Sequence, residues 1–287
     1  MPVTPIDLDD GLASLLAGDL SALNIDVVAP TTPSPVNFGE AARAALQALI
    51  TRASGIIYDV DFSTLANNTL ANGTETIDSL SWTAANMGSL GTAAVQAGTG
   101  IRGSAGTSLG AATTFTSASQ VAPHIYLPLS SIPNYDPRRR LIVEAYVPTR
   151  TLESNGEGVF IGLFGPASSP NSSSAARVRW VGKFNNSGTE VLRTTTTTTA
   201  QNSTDARTTH DVIGFELNAA GIGSAWSGVY ASGFPRAVSV GMPFVSLAGV
   251  VDPFNSDGVR LVLGWAVAND ASPTTTAVFQ RLRIRQA

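Results

Sequence analysis

After residue 55 the apolar residues come in short bursts bounded by Gly, Pro, Asn, Asp or Ser, and none of these bursts leads into a helical period of ten residues. The runs 56–62, 140–147, 158–164, 176–184, 211–217, 259–268 and 277–285 have the length and boundaries of strands. Within Arg177-Val178-Arg179-Trp180 the parity is clear: Val178, Trp180 and Phe184 share one face with Ala176 and Gly182, while Arg177, Arg179 and Lys183 share the other. That pattern predicts a half-buried antiparallel strand with a wet basic side. The last run, Val278-Phe279-Gln280-Arg281-Leu282-Arg283-Ile284-Arg285, alternates in the same way and puts Arg281, Arg283 and Arg285 toward water. A chain without strand–helix alternation does not build a parallel α/β sheet. The expectation for 56–287 is one mainly β domain, an antiparallel two-sheet sandwich of about twelve or more strands with the first and last paired.

The first 55 residues are of another kind. Asp9-Asp10 precede Leu12, Leu15, Leu16 and Leu20, one apolar face of a short helix with carboxylates at its positive end. Ala29-Pro30-Thr31-Thr32-Pro33-Ser34-Pro35 is stiff extended chain, because each proline fixes its own φ and restricts its predecessor. Asn37 and Glu40 have capping-box spacing and open a second helix. There Phe38, Ala42, Ala45 and Leu49 form a seam flanked by Leu46 and Ile50. Two heptads do not stand alone in water, so this helix packs on its own domain or on other copies of the chain. Residues 1–36 are expected to be an anchoring arm with a short helix and Pro-rich linker, and 37–55 a helix that serves as an oligomerisation stalk, a trimer being favoured.

Composition narrows the chemistry. With 17 Lys+Arg against 21 Asp+Glu, a net charge of −4 and 13% charged residues, no basic groove for nucleic acid is expected. There is no cysteine, hence no thiolate metal site or cysteine nucleophile. No window reaches the roughly 18 uninterrupted apolar residues of a spanning helix, so membrane insertion is not expected. Gly98-Thr99-Gly100-Ile101-Arg102-Gly103 has phosphate-loop spacing but lacks the following helix and the later carboxylate, and reads as a glycine-rich loop. Gly106-Thr107-Ser108-Leu109-Gly110 has nucleophile-elbow spacing but is followed by a strand-like Thr run. His124 and His210 have no ligand partner at metal spacing and read as surface or loop residues. Asp252, Asn255 and Asp257 read as a turn, with a cation as the alternative. Glu153 and Glu157 flank a hairpin-like Ser-Asn-Gly, and Glu144 stands alone in its strand. No catalytic residue, cofactor or metal is assigned.

Aromatic residues supply the binding candidates. Trp82, Trp180 and Trp265 fall within strand-like alternation and read as core. Trp226 and Tyr230 sit in a Gly/Ser-rich loop where small neighbours would leave rings exposed, with Arg236 and Asn218 as hydrogen-bond partners for a glycan. A loop packed on the sandwich explains the same residues.

A domain opening with Tyr58-Asp59-Val60-Asp61-Phe62-Ser63 and closing with Val278-Phe279-Gln280-Arg281-Leu282-Arg283-Ile284 resembles the concanavalin A-like and carbohydrate-binding-module jelly rolls, whose end strands pair. The E-x-D-x-x-E strand of that superfamily's catalytic members has no match, so the resemblance implies no activity. The Ala/Thr/Ser/Gly composition, the lack of cysteine and the arm with a short helix are similar to accessory proteins of tailed-bacteriophage virions. That resemblance implies a non-enzymatic fibre, collar spike or head decoration in the virion, homotrimeric and anchored to other virion proteins through residues 1–36. The alternative is a carbohydrate-binding receptor module for a host surface glycan, and less so a glycan-active hydrolase.

Overall fold

A computed structural model describes residues 55–88, 91–105, 122–153, 157–164, 178–195, 200–203, 206, 208–217, 223–231, 233–234, 241–244, 259–266 and 275–287. The arm, the two N-terminal helices and the seam of Phe38, Ala42, Ala45, Leu46, Leu49 and Ile50 lie outside these residues, as do Asn218, Arg236, the Asp252–Asp257 segment and the elbow-like 106–110. The anchoring role and the trimer expected from the sequence rest on that N-terminal segment.

About two thirds of the described residues are in strands, and none is in an α-helix. In chain order the strands are β1 (Ile56–Asp61), β2 (Asn68–Leu70), β3 (Gly73–Ile77), β4 (Leu80–Ala85), β5 (Gly91–Gln96), β6 (Gly100–Ala105) and β7 (His124–Pro128). Then come β8 (Leu141–Tyr146), β9 (Arg150–Thr151), β10 (Gly158–Phe164), β11 (Val178–Asn186), β12 (Thr189–Thr195) and β13 (Ala200–Asn202). The last are β14 (Val212–Leu217), β15 (Gly223–Gly228), β16 (Gly241–Phe244), β17 (Arg260–Ala266), β18 (Thr276–Phe279) and β19 (Arg281–Gln286). They form a six-stranded front sheet, β1-β19-β8-β14-β15-β16, an eight-stranded back sheet, β13-β12-β11-β10-β17-β7-β4-β3, and a five-stranded side sheet, β2-β5-β6-β18-β9. The first and last strands are neighbours, as the paired-ends expectation requires.

Three sheets replace the expected two because one layer is interrupted. β8 and β9 run on from front to side sheet opposite β19 and β18, and the ladder continues through Gln280 N donating to Tyr146 O and Val278 N donating to Thr149 O, both at 2.9 Å. Between those bonds lies Pro148, which has no N–H to donate. Front and side sheets together face the back sheet, and a single buried cluster joins Val143, Phe215 and Ile284, Val95, Ile101 and Phe279, and Ile125, Val159, Leu261 and Trp265 from the three. Trp265 locks the layers: its indole Nε1 donates to Ala277 O at 3.0 Å, and its ring lies where a Cβ on Gly103 would be.

That contact corrects the reading of 98–103 as a loop. Gly98, with φ +76°, makes the tight turn between β5 and β6, and Gly100–Gly103 belong to β6. Gly103 is needed for the approach of Trp265.

Two further expectations change. Lys183 is fully buried rather than wet, because both faces of the back sheet are covered: Trp180 and Phe184 pack in a second cluster with Phe160 and Val262, and Val181 faces the main core. The Lys183 ammonium is accommodated by Glu190 at 3.1 Å and by the carbonyl of His210 at 3.3 Å, and Arg150 reaches the same Glu190 oxygen at 2.7 Å. His124 is no surface residue either. It lies in β7 between β17 and β4, only 2% exposed, with Nδ1 2.8 Å from Ala122 O. His210 is half-buried, its Nδ1 2.8 Å from Ser227 Oγ.

Burial pushes the His124 imidazole down to about 4, with the charge of Arg260 acting the same way against the bond to Ala122. The unfolded chain takes up this proton near pH 6.5, the folded chain only near pH 4, so stability is full above the first value and falls between the two by up to about 3 kcal/mol. Urea unfolding from pH 7 to 4 should show this slope, and His124→Gln should flatten it. Gly103→Ala is expected to cost about 1–3 kcal/mol through overpacking against Trp265; an unchanged urea midpoint contradicts the packing.

Candidate functional site

The front sheet buries one face and leaves the other with a grid of polar and aromatic side chains. Alternation decides which residues go where. On β19 Leu282 and Ile284 enter the core, on β8 Leu141, Val143 and Ala145, and on β14 Ile213, Phe215 and Leu217. The residues between them form three rows across β19, β8, β14 and β15. The first is Arg281, Tyr146, Val212 and Gly228; the second Arg283, Glu144, Gly214 and Trp226; the third Arg285, Ile142, Glu216 and Ser224.

The first row is aromatic and half-open. The rings of Tyr146 and Tyr230 stack at 4.0 Å and 18°, and Phe234 meets Tyr230 edge-on at 5.2 Å. Tyr230 follows β15, its amide donating to Asp211 Oδ1 at 2.7 Å, and its hydroxyl accepts from Arg281 Nη1 at 3.0 Å. Arg281 also forks onto Asp59 of β1, Nε to Oδ1 at 2.7 Å and Nη2 to Oδ2 at 2.8 Å, which holds the guanidinium well above its usual range. Burial, then the charge of Asp211 and the neighbouring Tyr230, raise the Tyr146 phenol, so it stays protonated as a donor.

The second row is the buried centre. Glu144 is 1% exposed, and Oε2 receives Arg283 Nε at 3.0 Å and Arg285 Nε at 3.2 Å. Arg283 lies under Phe234, 4.3 Å from its ring centroid, a cation–π arrangement that fixes the guanidinium plane. Across the row the indole of Trp226 lies over Gly214, where a Cβ would stand 2.6–2.8 Å from ring atoms. In the third row Glu216 is paired with Arg140 and accepts from Ser224 Oγ at 3.3 Å.

The structure thus brings two of the sequence candidates, Trp226 and Tyr230, to one face. Trp226 is packed on the sandwich, as the packed-loop reading has it, rather than exposed, but it lies in β15 and not in a loop; it is 3% exposed because Gly214 lets it lie flat on the sheet. Sequence reasoning missed Tyr146, Phe234, Asp59 and the role of Glu144. The available signal was complementary parity, Glu144 and Tyr146 on one strand against Arg281 and Arg283 on another, but nothing in the sequence sets their register. Among the described residues no group of three or more His, Cys, Asp or Glu is placed to hold a metal ion. A separate depression of about 350 Å³ lies on the side sheet, lined by Thr69, Thr92, Gln96, Arg102 and Thr276 among others, with neither ring nor carboxylate in its lining.

No family model and no curated protein matches the chain. Among solved structures it is similar to a protein of unknown function from Shewanella oneidensis MR-1, with 12% identity over 90% of this chain and 96% of that one and a TM-score of 0.45. An alginate lyase from Pseudomonas aeruginosa has 11% identity, covering 66% of this chain and 83% of its own, at a TM-score of 0.42. A carbohydrate esterase from a Shiga toxin-encoding bacteriophage has 10% identity, 80% and 98% coverage and a TM-score of 0.38.

Removing the charge of Glu144 with Glu144→Gln leaves two guanidiniums around a neutral amide. Because the arginines are partly exposed, the expected loss is about 1–3 kcal/mol, below that for a fully enclosed pair. Urea unfolding measures it, and a wild-type midpoint would contradict the shared ion pair.

Proposed function

We propose that this β-sandwich is a non-catalytic carbohydrate-binding module whose ligand lies across the outer face of the front sheet. The observation that carries the reading is the half-open Tyr146–Tyr230 stack beside fixed, planar polar groups. Sugars offer apolar C–H faces to rings and hydroxyls to planar donors and acceptors, and the Arg281–Asp59 fork places both kinds of group next to the tyrosines. Strands hold Tyr146, Arg281 and Asp59, and the Asp211 carboxylate holds the Tyr230 backbone, which limits the ordering cost of binding.

The same geometry argues against acid–base chemistry on this face. A glycosidase needs one carboxyl free to protonate and a second free to attack or activate water. Here Asp59, Glu144 and Glu216 are each engaged by arginines, with Glu144 buried besides, which leaves Asp211, held by the Tyr230 amide, without a second free carboxyl among the described residues of this face.

Glycan-array binding by the full chain tests the reading. Tyr230→Ala is expected to weaken binding about tenfold, roughly 1.4 kcal/mol, with the thermal unfolding transition retained. Wild-type binding by Tyr230→Ala and Tyr146→Ala variants that still unfold cooperatively would move the site elsewhere, and release of sugar from a bound polysaccharide would overturn the non-catalytic assignment.

A further inference from the structure

Resting on the carbohydrate reading, we infer that the glycan is anionic and that Arg285, beside Arg283, takes its sugar carboxylate or sulfate. Among the described ion pairs of the front face, one carboxylate is shared by two cations. Arg281 is matched by Asp59 and Arg140 by Glu216, but Arg283 and Arg285 converge on a single carboxylate oxygen of Glu144. At that end of the face two guanidiniums share one carboxylate, a local excess of one positive charge, in a chain whose net charge is −4.

Glu144 cannot swing out to share itself more evenly, being 1% exposed and enclosed in the second row. Arg285 bonds Glu144 through Nε, so its Nη donors are not spent on that carboxylate, and its side chain is 31% exposed. A guanidinium edge is the geometric match for two oxygens of a carboxylate or sulfate. Its row neighbour across β8, Ile142, is apolar and buried, so a bound anion is partly shielded from water on that side. The carboxylates of Asp59 and Asp211 lie at the opposite, tyrosine end. The face is therefore polar along β19, with sugar stacking at the Arg281 row and anion capture at the Arg285 row. Four residues of strand separate these rows by roughly 13 Å, the span of an oligosaccharide rather than of one sugar.

Calorimetric titration of the full chain with three matched hexasaccharides tests this: one bearing glucuronate, its carboxyl-reduced neutral form, and the neutral form sulfated at the same positions. An acidic ligand is expected to bind about tenfold tighter than the neutral one, and about 0.5 M NaCl should erase the difference. Preference for the glucuronate or for the sulfated form identifies the anion. Arg285→Gln should bring acidic and neutral ligands within about threefold, and Arg285→Lys, which keeps the charge but not the fork, should restore the salt dependence with a reduced carboxylate preference. Equal binding of neutral and acidic ligands overturns the anionic assignment while the carbohydrate reading stands. Failure of all three to bind, with array binding also absent, overturns the carbohydrate reading itself.

Discussion

The pairing of β8 with β19 holds core and outer face to one another. Arg283 stands directly opposite Glu144, with Ile284 opposite Val143 and Leu282 opposite Ala145. Strand side chains alternate with period two, so a slip of one residue would send Arg281, Arg283 and Arg285 inward and Leu282 and Ile284 out. Core burial and ion pairing therefore select the same register. From it follow the rows on β14 and β15, the seat of Trp226 on Gly214, and the stack of Tyr230 on Tyr146.

How legible this was depended on distance along the chain. The alternation of 281–286 could be read directly, because parity is a local property and the arginines and leucines have opposite preferences, but it does not extend back through Gln280: Phe279, of the same parity as the arginines, enters the core from β18. The sandwich class followed from run length and turn residues. Lys183 shows where parity fails: it separates two faces without saying whether water meets either, and the back sheet carries a second apolar cluster around Trp180 and Phe184 on the side away from the main core. Residues that look wet by alternation then sit between layers, as a cation supplied with Glu190 and a backbone carbonyl.

The candidate site was harder to see, since its partners are remote. Asp59 and Arg281 are 222 residues apart, Glu144 and Arg283 139. Trp226 and Tyr230 stood out as aromatics among small residues, and that composition has two structural causes. Gly214 lets an indole lie flat on a sheet, while Tyr230 is held just past the strand end by Asp211. Exposure separates them: the tryptophan is structural support and the tyrosine is the half-open ring.

Stacked rings lie at one end of the front face and two guanidiniums sharing one carboxylate at the other, and side-chain NMR can test whether a ligand lies across them. In a titration of the full chain with an acidic oligosaccharide, the Nε–Hε resonances of Arg281, Arg283 and Arg285 are expected to shift in a saturable manner, while that of Arg102, in the side-sheet depression, stays fixed. Saturable movement of Arg102 with the three front-sheet arginines unmoved would contradict the placement of the ligand on the front sheet.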